Sequence, residues 1–132
     1  PRHIKTGEMS TVIGIFENQY DKKLPLTVVK PGTQTRRFTH IKDTIKVCYE
    51  AWKRNKCLHY SISHKKTHSI LNVAKMFNSN IKYLPKRDGE RFASELTNMS
   101  LNNKIHKRYG KINLKDYIDN FRLKKINKRN FK

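Results

Sequence analysis

Apolar residues recur along this chain at two alternating periods. Val12, Ile13, Phe16 and Tyr20 fall on roughly one helical stripe, and Ser10 or Thr11 can cap that helix. Leu24-Pro25 ends it. Leu26-Thr-Val-Val29 is short and β-branched and reads as a strand, after which Pro31-Gly32 turns the chain. Ile41, Ile45, Cys48, Tyr49 and Trp52 predict a second helix, with Tyr49 in its buried stripe. Asp43 in its first turn and Lys53, Arg54 and Lys56 at its far end both suit the helix dipole. Leu58 to Ser63 alternates as a strand does. Thr67 or Ser69 caps a third helix carrying Ile70, Val73, Ala74 and Phe77. Ile81 to Leu84 is a strand stopped by Pro85, and Arg87 to Glu90 is a loop. Leu114, Tyr117, Ile118 and Phe121 mark a last helix, and the basic residues after Leu123 are expected to fray. Alternating helix and strand periods without an internal repeat indicate an α/β fold.

Composition narrows this picture. The 132 residues give room for one small domain, and 36 % hydrophobic residues, among them Trp52, are enough for a core and too many for a disordered tail. The net charge of +20, from 30 Lys+Arg against 10 Asp+Glu, points to a polyanionic partner. The basic residues are spread along the whole chain except for Lys124-Lys125 and Lys128-Arg129, and Asn and Ile are abundant beside Lys. Selection for a polyanion has no reason to enrich Asn and Ile. A basic nucleic-acid-binding module is therefore the alternative reading, and nucleic acid is not the expected partner. Cys48 and Cys57 supply no disulfide framework, and no apolar run approaches the length of a membrane span. A cytoplasmic protein without membrane contact is expected. The first residue is Pro1, so the start of translation is expected upstream.

One stretch carries the most chemistry: Pro31-Gly-Thr-Gln-Thr-Arg-Arg-Phe-Thr-His-Ile-Lys-Asp43. A strand runs into a glycine turn, then two arginines, an aromatic residue and a helix start. Guanidinium forks match phosphate oxygens bidentately, so Arg36 and Arg37 can grip a diphosphate. On spacing alone they can equally be solvated charges of a very basic protein. Cys57, His59, His64 and His68 lie close together, and His64 and His68 can share a helix face. No Cys-x-x-Cys accompanies them and His59 falls inside an alternating strand, so no metal site is expected.

The order of motifs resembles the extended short-chain dehydrogenase/reductase family, the NAD-dependent nucleotide-sugar epimerases and dehydratases. Pro31 to Asp43 is similar to that family's Gly-x-Gly-x-Gln-x-Arg-Asp-Phe-x-His-Val-x-Asp. Pro1-Arg2 resembles the end of its Tyr-Gly-Pro-Arg turn, and His59-Tyr-Ser-Ile-Ser63 its Tyr-Asn-Ile-Gly strand. Thr67 to Phe77 resembles the helix that follows. Leu84-Pro-Lys-Arg-Asp-Gly-Glu90 resembles its Pro-x-Arg-x-Gly-Glu/Asp loop. Thr97-Asn-Met-Ser100 stands at Ala-Asp-x-Ser, and Leu114-Lys-Asp-Tyr-Ile118 at Leu-Glu-Glu-Gly-Ile. The likeness covers nearly the whole chain.

The resemblance implies an α/β fold: a carboxy-terminal substrate-binding lobe plus edge elements of a Rossmann-type fold, with short strands and about four helices. Residues 1–123 would be the nucleotide-sugar-binding portion and 124–132 a basic tail. Arg36 matches the arginine that binds the diphosphate of the nucleotide sugar, Arg87 a second phosphate ligand, and Glu90 the acidic residue that binds the nucleoside. The family's cofactor is NAD, held by a Gly-x-x-Gly-x-x-Gly turn that is absent from this sequence. Its catalytic Tyr-x-x-x-Lys is matched only by Tyr49 and Lys53, which lie on the wrong element. No catalytic residue is assigned, and the chain alone is expected to be inactive. Its ligand would be a nucleoside diphosphate sugar, and apolar surface left by the absent amino-terminal half would be covered by that half or by a homodimer partner. Lys30 for Gly, Arg37 for Asp, Ser61 and Ser63 for Asn and Gly, and Asn98 for Asp depart from the family pattern. So do Lys107, Arg108 and Gly110, where Leu-Gly-Trp-x-Pro is usual. None of these changes touches the implied phosphate ligands.

Overall fold

A computed structural model of the chain describes residues 10–54, 62–86 and 109–130. Helix α1 spans Val12–Asp21; of the two candidate caps Thr11 serves, in extended conformation, its hydroxyl accepting the Gly14 N–H at 3.2 Å. Strand β1, Leu26–Val29, follows. Side chains alternate across a strand, so Leu26 and Val28 are fully buried while Thr27 and Val29 face the other way.

β1 pairs in parallel with β4, Ile81–Leu84, in a register that sets Leu26 against Ile81 and Val29 against Leu84. A parallel pair needs a long crossover. Here it contains β2 (Thr35–Arg37), α2 (Ile41–Arg54), β3 (Thr67–Ser69) and α3 (Ile70–Met76). β2 and β3 form an antiparallel ribbon with Arg36 opposite His68. That ribbon is not foreshadowed by the apolar pattern, because three-residue strands of polar residues carry no periodicity. Thr67 is spent in β3, and Ser69 caps α3 by accepting the Asn72 N–H at 3.1 Å. The first N–H groups of α3 hold the turn before β2: Ile70 donates to the Gln34 carbonyl and Leu71 to that of Gly32, both at 3.0 Å.

The last helix, α4, runs Leu114–Asn130. Residues 124–130 thus continue the helix instead of fraying. The Lys125 ammonium lies 2.7 Å from the Asp21 carboxylate and 5.5 Å from the centre of the Phe121 ring, which ties the basic end to α1. The core joins α1, β1, α3 and α4 through Phe16, Leu26, Val28, Val73, Phe77 and Ile118. Phe16 and Phe77 meet edge to face, with ring centroids 5.9 Å apart.

α2 corrects one expectation. Its apolar stripe does not face the core: Ile41, Ile45, Tyr49 and Trp52 are 47, 59, 56 and 75 % exposed. The opposite face is buried, through Asp43 and Val47. A polar contact fixes this rotation, since the Asp43 carboxylate accepts the Ile112 N–H at 3.1 Å. Among the described residues no helix is long and apolar enough to cross a membrane. The strand expected at Leu58–Ser63 lies for the most part outside the described residues, as do the loop of Arg87 and Glu90 and the Thr97–Ser100 motif.

Candidate functional site

A cleft of about 870 Å³ opens where the amino-terminal half of α1, the outward side of β1, β2 and the starts of α2 and α4 converge. Its apolar wall comes from residues such as Ile13, Phe16, Val29 and Leu114. Its charged lining residues are Arg36 and Arg37, joined by His40; among the described residues no Asp, Glu or Lys lines it. A site of that make-up suits an anionic group carried on an apolar or aromatic body.

Arg36 is placed by β2. Its Nη1 donates to the Thr35 carbonyl at 2.8 Å, which bends the guanidinium back along its own strand. Arg37, on the alternate side, is committed elsewhere: its Nη1 donates to the carbonyls of His64 (at 3.0 Å) and Lys65. Thr39 adds to this clamp, its hydroxyl accepting the His64 N–H at 3.1 Å. Of the two arginines seen in the sequence, both line the cleft, and Arg37 also stitches the 64–66 turn to β2. Arg87 and Glu90, the other two expected ligands, lie outside the described residues.

Across the ribbon from Arg36, His68 is 6 % exposed and packs beside Phe38, with centroids 6.5 Å apart. Burial, then Lys66, then His64 lower its pKa below the ordinary value of 6.5, so it is neutral at pH 7.

The wall formed by α4 was not legible as a site. Tyr117 lines the cleft, and its hydroxyl donates to Glu17 Oε1 at 2.6 Å. Glu17 is only 3 % exposed. Burial, and then the hydrogen bond and charge of Glu17, push the Tyr117 pKa well above the usual phenol range. The His40 ring lies 5.7 Å from that of Tyr117, inclined by 59°. Only the packing of α4 on α1 gives Glu17 its partner. The visible signal was Tyr117 itself, which stands at the glycine of the Leu-Glu-Glu-Gly-Ile motif.

The described residues hold no cluster of three His, Cys, Asp or Glu side chains that could bind a metal. Nor do they fit NAD. A dinucleotide pyrophosphate needs glycine at a strand-to-helix turn. The β2–α2 junction is Phe38-Thr39-His40, and β3 passes directly into α3. Gly32 is no cradle either, because a Cβ there would meet Val28 Cγ1 at 2.8 Å and Leu71 Cβ at 3.2 Å.

These elements define the chain as a mixed α/β fold of the Rossmann type. No family model matches the sequence, and no curated protein matches it. Solved structures do share the fold. UDP-glucuronic acid 4-epimerase from Bacillus cereus, solved with UDP-glucuronic acid and NAD, superposes with a TM-score of 0.68 at 24 % identity over 83 % of this chain and 37 % of its own. UDP-N-acetylglucosamine 4-epimerase from Methanobrevibacter ruminantium, in complex with UDP-N-acetylmuramic acid, gives 0.71 at 18 % identity over 92 % and 40 %. UDP-glucose 4-epimerase from Thermotoga maritima, with UDP-glucose, gives 0.72 at 16 % identity over 98 % and 43 %. The chain thus spans about two fifths of the length of these enzymes.

Proposed function

We propose that this chain is the nucleotide-sugar-binding part of an NAD-dependent sugar epimerase or dehydratase, with Arg36 as a ligand of the diphosphate. The observation that carries this reading is a cleft whose charged lining is cationic, on a fold shared with three enzymes solved with UDP-sugars. Arg87 and Glu90 complete the proposed ligand set on the strength of their motif, as a second phosphate ligand and the nucleoside-binding carboxylate. Cofactor binding and catalysis are assigned to the remaining part of the fold, since neither the Gly-rich turn nor a well-placed Tyr/Lys pair occurs in this sequence. The exposed stripe Ile41, Ile45, Tyr49 and Trp52 on α2 is the surface that part would cover.

Calorimetric titration with UDP, UDP-glucose and GDP-mannose tests the reading. Saturable binding is expected, weakened about 10- to 100-fold by Arg36→Ala, as for loss of a charged hydrogen bond. Short duplex DNA serves as a polyanion control. Binding to DNA alone, collapsing with salt and blind to nucleotides, would replace this reading with the nucleic-acid module.

A further inference from the structure

Tyr117 puts a phenol ring into the cleft wall at a position where the resembled motif has glycine. The ring is held from two sides. Its hydroxyl is bound to the buried Glu17 at 2.6 Å, and the His40 imidazole packs against it at 5.7 Å. With the hydroxyl bonded to Glu17, a ligand in the cleft would meet Tyr117 through its ring. Hydroxyl-rich sugars are recognised by acceptors such as carboxylates, and among the described residues no carboxylate lines this cleft. A flat heteroaromatic base, in contrast, stacks on an aromatic face without needing hydrogen-bond partners.

We propose that Tyr117, positioned by Glu17 and flanked by His40, is a specificity-determining residue that stacks the base of a nucleoside diphosphate whose phosphates lie at Arg36. This deepens the nucleotide-binding reading and rests on it, adding an aromatic subsite built by this chain's own α1–α4 contact. Glu17 is the positioning residue: it touches the tyrosine and acts on the ligand only through it.

The test compares UDP with inorganic pyrophosphate, which has the charge and lacks the base. Both are titrated into the full chain, its Tyr117→Leu and Tyr117→Phe variants, and Arg36→Ala, with circular dichroism to establish that each folds. Tyr117→Leu is expected to weaken UDP about tenfold, the worth of one base–aromatic stack, and to leave pyrophosphate unchanged. Tyr117→Phe keeps the ring and should hold UDP affinity within about threefold of wild type. If Tyr117→Leu fails to fold, Tyr117→Phe still decides: UDP affinity falling as far as pyrophosphate affinity would show that the hydroxyl, or the wall as a whole, matters and not the ring. Equal losses for both ligands in Tyr117→Leu, or no loss for UDP, would overturn the subsite. Wild-type chain binding pyrophosphate no more weakly than UDP would overturn it too, while leaving Arg36 as a phosphate ligand. Binding of neither would overturn the nucleotide reading itself.

Discussion

Gly32 meets two demands at once. Its φ of +77° is costly for any side chain, and a Cβ would press on Val28 at 2.8 Å. Gly32→Ala should destabilise the chain by about 1–3 kcal/mol, read as a lower midpoint in urea denaturation. An unchanged midpoint would mean that the turn relaxes freely. His68 makes a different kind of prediction. Its pKa lies below 6.5 in the folded chain, so the unfolded chain takes up the proton more readily. Stability is therefore unaffected well above pH 6.5 and falls as the pH drops below about 6.5, until the folded pKa is passed. The imidazole lies opposite Arg36 and feels Lys66 and His64, so the proton would enter a cationic neighbourhood. The urea midpoint should fall between about pH 7.5 and about pH 5, and fall less in His68→Leu. Equal pH slopes in the two proteins would remove His68 as the cause.

At the scale of elements, helix ends were readable and helix rotation was not. The Thr11 hydroxyl accepts one of the N–H groups that the start of α1 leaves without an intrahelical partner, so Thr11→Ala should cost about 1 kcal/mol in equilibrium unfolding. The spacing in α2 marks a helix correctly, yet its stripe lies on the side away from the core. An apolar stripe states that a helix wants cover; it does not state which body supplies it. Asp43 faces the interior because its carboxylate takes the Ile112 N–H, and Tyr49 is carried outward with the stripe. Trp52 is the single tryptophan and is 75 % exposed, so its fluorescence in this chain should be strongly quenched by iodide. A shielded tryptophan would show that something already covers the stripe.

For the whole molecule, the leading feature outside the core is its charge. A net +20 on 132 residues opposes the compact state by self-repulsion. Raising the salt from about 0.05 M to about 0.5 M shortens the screening length and should raise the thermal midpoint. A midpoint that falls or stays constant would mean that the ion pairs, such as Lys125 with Asp21, outweigh the repulsion. The +20 alone favoured a polyanion of any kind. The proposed nucleotide reading rests instead on the cleft, where Arg36 stands among apolar residues, and on a fold shared with solved nucleotide-sugar epimerases over about two fifths of their length.

The sequence by itself determined the α/β class, the helices α1 and α3 with two candidate caps each, and the strands Leu26–Val29 and Ile81–Leu84. Those features rest on interactions between neighbours along the chain, or on motifs whose spacing is fixed. The tertiary structure decided the rest. It spent Arg37 on the carbonyls of His64 and Lys65, 27 and 28 residues away. It joined Glu17 to Tyr117 across 100 residues and turned α2 through a contact between Asp43 and Ile112, 69 residues apart. Pairings so distant in sequence leave no local period or propensity, because their partners become neighbours only when the elements pack.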